Sequence, residues 1–122
     1  MTNKQIAEFY LKAVTSGRID QAYDRYVDMS GRHHNIFTAA GFPALRAAMK
    51  ENDTQFPNKE LTILHIAESD DFVMLHSRVT IDPEKPDFAT CHVLKFKNGK
   101  IIEMWDISQQ GPIEGSNKDG QF

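Results

Sequence analysis

A single cysteine, Cys91, rules out an intrachain disulfide and a zinc site built on paired thiolates. That scarcity fits a reducing compartment, and the chain is read as cytoplasmic. The first residues, Met1-Thr2-Asn3-Lys4-Gln5, lack the basic-then-apolar profile of a signal peptide. No apolar run is long enough to span a bilayer, so no membrane partner is expected. An excess of positive charge is missing as well: Lys and Arg number 14 against 17 Asp and Glu, and the cations are scattered among acids. With no basic stripe to meet phosphates, nucleic acid is not an expected partner. Repeats and low-complexity tracts are also absent, although residues 109 to 122 turn polar and glycine-rich, as tails do.

What is present suffices for one core. The chain has 122 residues, 40% of them hydrophobic, which predicts a single domain over residues 1–108 followed by a tail over 109–122. Thr2 followed by Gln5 reads as a capping box, and Ile6, Phe9, Tyr10, Ala13 and Val14 recur at helical spacing until Ser16-Gly17. Ile19 to Val27 predicts a short second helix with Ala22, Tyr23, Tyr26 and Val27 on one side, interrupted by Ser30-Gly31. Arg32 to Phe37 reads as an extended segment. Pro43 suits the first turn of a third helix that runs to about Asp53. From residue 60 onward the pattern changes to apolar runs rich in β-branched and aromatic residues: Glu60 to Ala67, Phe72 to Ile81, Phe88 to Lys97 and Ile101 to Ser108. Ser69-Asp70-Asp71, the proline-bearing Asp82 to Asp87, and Asn98-Gly99 separate them. Helices ahead of a consecutive antiparallel meander predict an α+β fold, with the helices covering one face of the sheet and a pocket between.

Strand faces alternate with period two, so hairpin register decides which polar residues converge. Pairing Thr80 with Phe88 across the proline loop sets Phe72 opposite Phe96, Met74 opposite Leu94, and His76 opposite His92. For the last hairpin, a two-residue Asn98-Gly99 turn places His92 opposite Trp105. A three-residue loop with Gly99 in a bulge places it opposite Met104 and diagonal to Asp106. The bulged form is preferred because it groups Leu94, Phe96, Ile102 and Met104 on one face and Lys95, Lys97 and Glu103 on the other. Burying a lone charged head costs on the order of several kcal/mol, so segregation should win.

Several segments carry a resemblance: His34-Asn35 with a short loop to Phe42-Pro43-Ala44-Leu45; Gln55-Phe56-Pro57-Asn58; Met74-Leu75-His76-Ser77; His92-Val93-Leu94-Lys95-Phe96; and Asn98 through Asp106. In these the chain resembles the polyketide-cyclase (SnoaL)-like branch of the nuclear-transport-factor-2-like superfamily. The resemblance implies a cystatin-like α+β cone, in which N-terminal helices pack on a curved antiparallel sheet and enclose a pocket, commonly in a homodimer. In cyclase members an aspartate near the end of the last strand is the acid/base of an intramolecular aldol closure, without metal or cofactor. That position looks like Asp106, and His92 and His76 resemble the pocket histidines of neighbouring strands. Where relatives often have proline after the His-Asn pair, this chain has Ile36.

On this reading Asp106 is the expected general base, against the plainer role of a strand-end Asp that caps a turn. A free imidazole titrates near neutrality, so His92 and His76 suit proton transfer or polarisation of a carbonyl, or else serve as hydrogen-bonded imidazoles of the sheet. His33 and His34 must face opposite ways if extended, and the family pattern selects His34 for the pocket. His33 and His65 are read as solvated. Asn35, Tyr26, Met104 and Phe96 are expected to contact substrate, and Trp105 to point away. The histidines and Asp106 could suit zinc or iron, but no tight ligand pair occurs, so neither metal nor cofactor is expected. Cys91 reads as a small buried hydrophobe. The expected partner is a small hydrophobic or carbonyl-containing molecule, handled by a cofactor-free lyase or isomerase. The alternatives are a non-catalytic ligand-binding module of the same fold and a structural dimer with a vestigial pocket.

Overall fold

The capping box expected at the N-terminus is present in the computed structural model, which describes residues 1–111 and 117–122. Thr2 Oγ1 accepts from the Gln5 N–H at 3.1 Å, and Gln5 Oε1 accepts from the Thr2 N–H at 2.8 Å. This opens α1 (Asn3–Thr15), which buries Ile6, Ala7, Tyr10, Leu11 and Ala13. Gly17, at φ 84°, turns the chain into α2 (Ile19–Tyr26), which buries Ile19, Ala22 and Tyr23. The third helix, α3 (Phe42–Gln55), carries proline in its first turn as expected and buries Phe42 and Leu45. No helix among the described residues is long and apolar enough to cross a membrane.

Among the described residues five strands follow and interleave: β1 (Val27–His33), β2 (Glu60–Ser69), β3 (Phe72–Thr80), β4 (Phe88–Lys97) and β5 (Lys100–Gln110), in the order β1-β5-β4-β3-β2. The β2 to β5 meander is antiparallel, but β1 pairs parallel with β5, so the sheet is mixed rather than purely antiparallel. Val27 to Gly31, expected as a helix end and a break, is therefore strand. Gly31 explains both the misreading and the pairing: a Cβ there would lie 2.2 Å from the Ile102 carbonyl oxygen. Only glycine lets the two backbones approach so closely. Strand β5 continues to Gln110, past the expected end at Ser108, and residues 112–116 of the expected tail lie outside the described residues.

Two expected registers are corrected. In β3 and β4, Val79 rather than Thr80 pairs with Phe88, so Leu75 lies opposite His92 and His76 opposite Cys91. Val73, Leu75 and Ser77 face the helices and are fully buried, while Phe72, Met74 and His76 face away. The expected register would have put Arg78 on the buried face; it instead points outward and donates to Asp87 at 2.7 Å. In the last hairpin Asn98 and Gly99 both have positive φ, 52° and 74°, and form a two-residue turn. The bulge lies in β5 instead, where Lys95 pairs with Glu103 and Phe96 with Ile101, leaving Ile102 extra. Ile101, not Ile102, thus enters the core. The result is a pairing neither expected register contained: His92 directly opposite Asp106.

Candidate functional site

Alternation on β4 and β5 turns Thr90, His92, Asp106 and Ser108 toward the helices, in two adjacent cross-strand pairs. There they meet a cavity of about 400 Å³. Leu11 and Val14 of α1, Leu45, Ala48 and Met49 of α3, and Leu61, Val79 and Phe88 of the sheet make its walls largely apolar. Beneath it, Tyr10 and Tyr23 share a buried hydroxyl hydrogen bond of 2.9 Å, and both reach the Met49 sulfur. Burial, above all, raises the Tyr10 and Tyr23 hydroxyls above their ordinary range, and the Asp106 charge adds to this.

Asp106 has two differently occupied oxygens. Its Oδ2 accepts from the Asn35 side-chain amide at 2.8 Å. Its Oδ1 lies 3.6 Å from His92 Nε2, too far for a hydrogen bond. Both side chains are largely enclosed, His92 at 10% exposure and Asp106 at 14%. Burial lowers the His92 pKa from its ordinary 6.5, and the attraction of Asp106 opposes the shift without reversing it. The imidazole is consequently neutral at pH 7. Its Nδ1 is buried with no hydrogen-bond partner among the described residues, so the tautomer that carries its proton on Nε2, toward the carboxylate, is the favoured one.

Asn35 is held by its neighbours on the segment after β1. The Asn35 N–H donates to His33 Nδ1 at 3.1 Å, and the other His33 nitrogen, Nε2, donates to the Ala39 carbonyl at 2.8 Å. Asn35 Oδ1 in turn accepts from the Phe37 N–H at 2.9 Å. His33, expected in solvent, is therefore buried and braces the loop, whereas His34 points to the other face. There His34 donates to Glu103 at 2.7 Å and lies parallel to the Trp105 ring, with centroids 5.1 Å apart. The His34 bond, aided by Arg32, holds the Glu103 carboxyl below its ordinary range. Arg32 also contacts Glu103, at 3.3 Å, and shares the face of His34; burying that guanidinium is what the chain avoids.

His76 likewise leaves the cavity. On the outward face its Nδ1 meets His65 Nδ1 at 3.0 Å, so His65 is paired rather than merely solvated. Tyr26 packs edge-on against Phe9 and contacts the Met1 sulfur, away from the cavity wall. Met104 and Phe96 share the inward face with His92 but lie in the core and do not line the cavity. Of the residues singled out in the sequence, the structure brings together Asp106, His92 and Asn35, and it keeps His76, His34, Tyr26, Met104 and Phe96 out of the cavity wall. Lys59, Asn52, Thr90 and Ser108 line the cavity and were not singled out. Thr90 and Ser108 were legible, since each is two residues from His92 or Asp106; Lys59 and Asn52 carry no sequence signal. Among the described residues no group of three or more His, Cys, Asp or Glu side chains converges on a metal-sized site.

No curated protein matches the chain in sequence. Solved structures do. An uncharacterized cystatin-fold protein from Novosphingobium aromaticivorans superposes with a TM-score of 0.75 at 18% identity, over 88% of this chain and 98% of that one. AclR, a putative hydroxylase from Streptomyces galilaeus, gives 0.74 at 17% identity over 88% of each chain. A putative SnoaL-like polyketide cyclase from Jannaschia sp. CCS1 gives 0.66 at 17% identity over 85% of each. At such identities these likenesses show the fold alone, nuclear-transport-factor-2-like and cystatin-like, and that fold hosts unrelated chemistries. The family model described as SnoaL-like polyketide cyclase matches residues 4–114, and the chain belongs to that family.

Proposed function

We propose that the cavity catalyses proton transfer on a carbonyl compound without a cofactor, as a lyase or isomerase of the aldol or enolisation type. One observation carries this reading: a carboxylate held on one oxygen by Asn35 and left open on the other, beside a neutral imidazole 3.6 Å away, in an apolar enclosure. In this account Asp106 Oδ1 removes the proton next to the carbonyl. His92 Nε2–H donates to the carbonyl oxygen and stabilises the enolate as charge develops. The low-dielectric surroundings strengthen that hydrogen bond, and Asn35 keeps the carboxylate oriented through the step. His34 and His76, which the family resemblance implied as pocket residues, have no role in this mechanism. The family membership supports a small-molecule ligand.

The outward face of the sheet supports a homodimer in the same account: Met74 and Ile107 are 37% and 62% exposed there, in line with Val93 and Trp105. A cytoplasmic setting accords with the single cysteine.

The test is Asp106→Asn, assayed against a library of carbonyl compounds and by ligand-induced thermal stabilisation. The account expects turnover to fall by about a hundredfold or more, the usual contribution of a general base, while stabilisation by ligand is kept. Stabilisation without turnover in the unaltered protein would favour the non-catalytic binding module.

A further inference from the structure

Among the described residues Lys59 is the one cation in the wall of the cavity, and nothing in the proton-transfer account uses it. Its side chain is only 7% exposed, and an ammonium that far out of water needs compensation. It finds two acceptors: the Phe56 carbonyl at 2.9 Å and, loosely, Asp53 Oδ1 at 3.4 Å. An ammonium has three protons, so one donor is left over. Asp53 itself does not line the cavity and is 28% exposed, so its countercharge reaches Lys59 from behind the wall and is shared with solvent. Among the described residues of the wall the only anion is Asp106. Asp106 lies on β5 and Lys59 immediately precedes β2, three strands away in the sheet order. Three strand spacings alone amount to roughly 14 Å, and Lys59 is further offset along the strands, since the β2 residue in row with Asp106 through His92 and Leu75 is Ile66. The cavity is thus polarised, with a carboxylate at one side and a buried ammonium at the other, joined by apolar walls.

We propose that Lys59 receives an anionic group of the ligand, so that the substrate class is an elongated carbonyl compound bearing a carboxylate remote from the carbonyl. This deepens the proton-transfer reading and rests on it for the placement of the carbonyl end. The two ends enforce one orientation: the ligand carboxylate is attracted by Lys59 and repelled by Asp106, which leaves the carbonyl beside Asp106 and His92. Asn52, also in the wall, adds a neutral hydrogen-bond donor on the Lys59 side from α3. A charge-assisted hydrogen bond in such an enclosure is among the stronger polar contacts available to a ligand.

The test uses a ladder of ω-(4-acetylphenyl)alkanoates, from the acetate to the pentanoate, each paired with its methyl ester, with affinities read by calorimetry. At the best chain length the acid should bind about tenfold or more tighter than the ester. Lys59→Met should erase that preference and Lys59→Arg should keep it. Asp53→Asn, which leaves Lys59 in place and removes its rear countercharge, should tighten the acid several-fold and leave the ester unchanged. Equal affinity of acid and ester at every length, a preference that survives Lys59→Met, or an Asp53→Asn protein that binds the acid no better would each overturn the proposal. The preference should persist in Asp106→Asn, and its loss there would also overturn it. Turnover by Asp106→Asn bears on the proton-transfer reading alone, so the two can fail separately.

Discussion

At Asp106 the two carboxylate oxygens have unlike neighbours, and at His92 the two ring nitrogens do as well. Asn35 occupies one oxygen, while the other oxygen and His92 Nε2, 3.6 Å apart, are left for two neighbouring atoms of one ligand. Ser77 poses a different question. It sits on the same face of the sheet, fully buried, and its hydroxyl has no partner among the described residues. A buried unsatisfied hydroxyl costs free energy, so Ser77→Ala is expected to raise stability by about 1 kcal/mol in urea unfolding. A loss of that size would mean that the hydroxyl is bonded in solution. The histidine pair at 33 and 34 shows what was legible at this scale. Alternation correctly required the two to diverge, but the family pattern chose the wrong one for the interior. The deciding residue was Arg32, two positions from His34, whose charge belongs on the solvent face and takes His34 with it.

Among elements, the β4 and β5 hairpin decides the site. Its Asn98-Gly99 turn was legible as turn chemistry, but His92 and Asp106 were expected on one face only with Gly99 in a bulged loop, a form the hairpin does not take. Their register was not legible, because the extra residue lies at Ile102 in the strand rather than at Gly99 in the loop. Nothing in Ile101-Ile102 distinguishes which isoleucine is the inserted one. Gly31 supplies the missing information only once β1 is known to be a strand, since its backbone crosses the bulge at Ile102. The β3 register failed for a related reason: Phe72 and Met74 are as apolar as Val73 and Leu75, and only Arg78 breaks the tie. Gly31→Ala is therefore expected to cost about 3 kcal/mol, because its new methyl meets the Ile102 backbone at 2.2 Å and the fully buried Phe42 ring at 2.9 Å, neither of which has room to yield. Equilibrium unfolding measures this. A cost near zero would show that β1 does not approach β5 as closely as described.

For the whole molecule, the helix-then-meander pattern was enough to anticipate an α+β fold, because the change from helical to two-residue periodicity near residue 60 is local. The parallel edge strand was not, because long-range pairing leaves no periodic signal in a short segment that includes Ser30-Gly31. Burial of His92 has a consequence for global stability. Its folded pKa lies below the ordinary 6.5, so on acidification the unfolded chain takes up this proton first. Stability that is fully present above pH 6.5 is then lost as pH falls from there toward the folded value. The slope from this group approaches about 1.4 kcal/mol per pH unit. Unfolding midpoints of the unaltered protein and of His92→Gln, compared between pH 7.5 and 5, should diverge in this sense, with the variant showing the flatter dependence. Parallel curves would mean that His92 is solvated.

The most direct measurement of the central claim is exchange of the protons next to a ketone carbonyl with D2O, followed by NMR on a bound aryl methyl ketone. The account predicts deuterium incorporation accelerated by the unaltered protein and abolished in Asp106→Asn, with ketone affinity retained. Undiminished exchange in Asp106→Asn would contradict the assignment of Asp106 as the base.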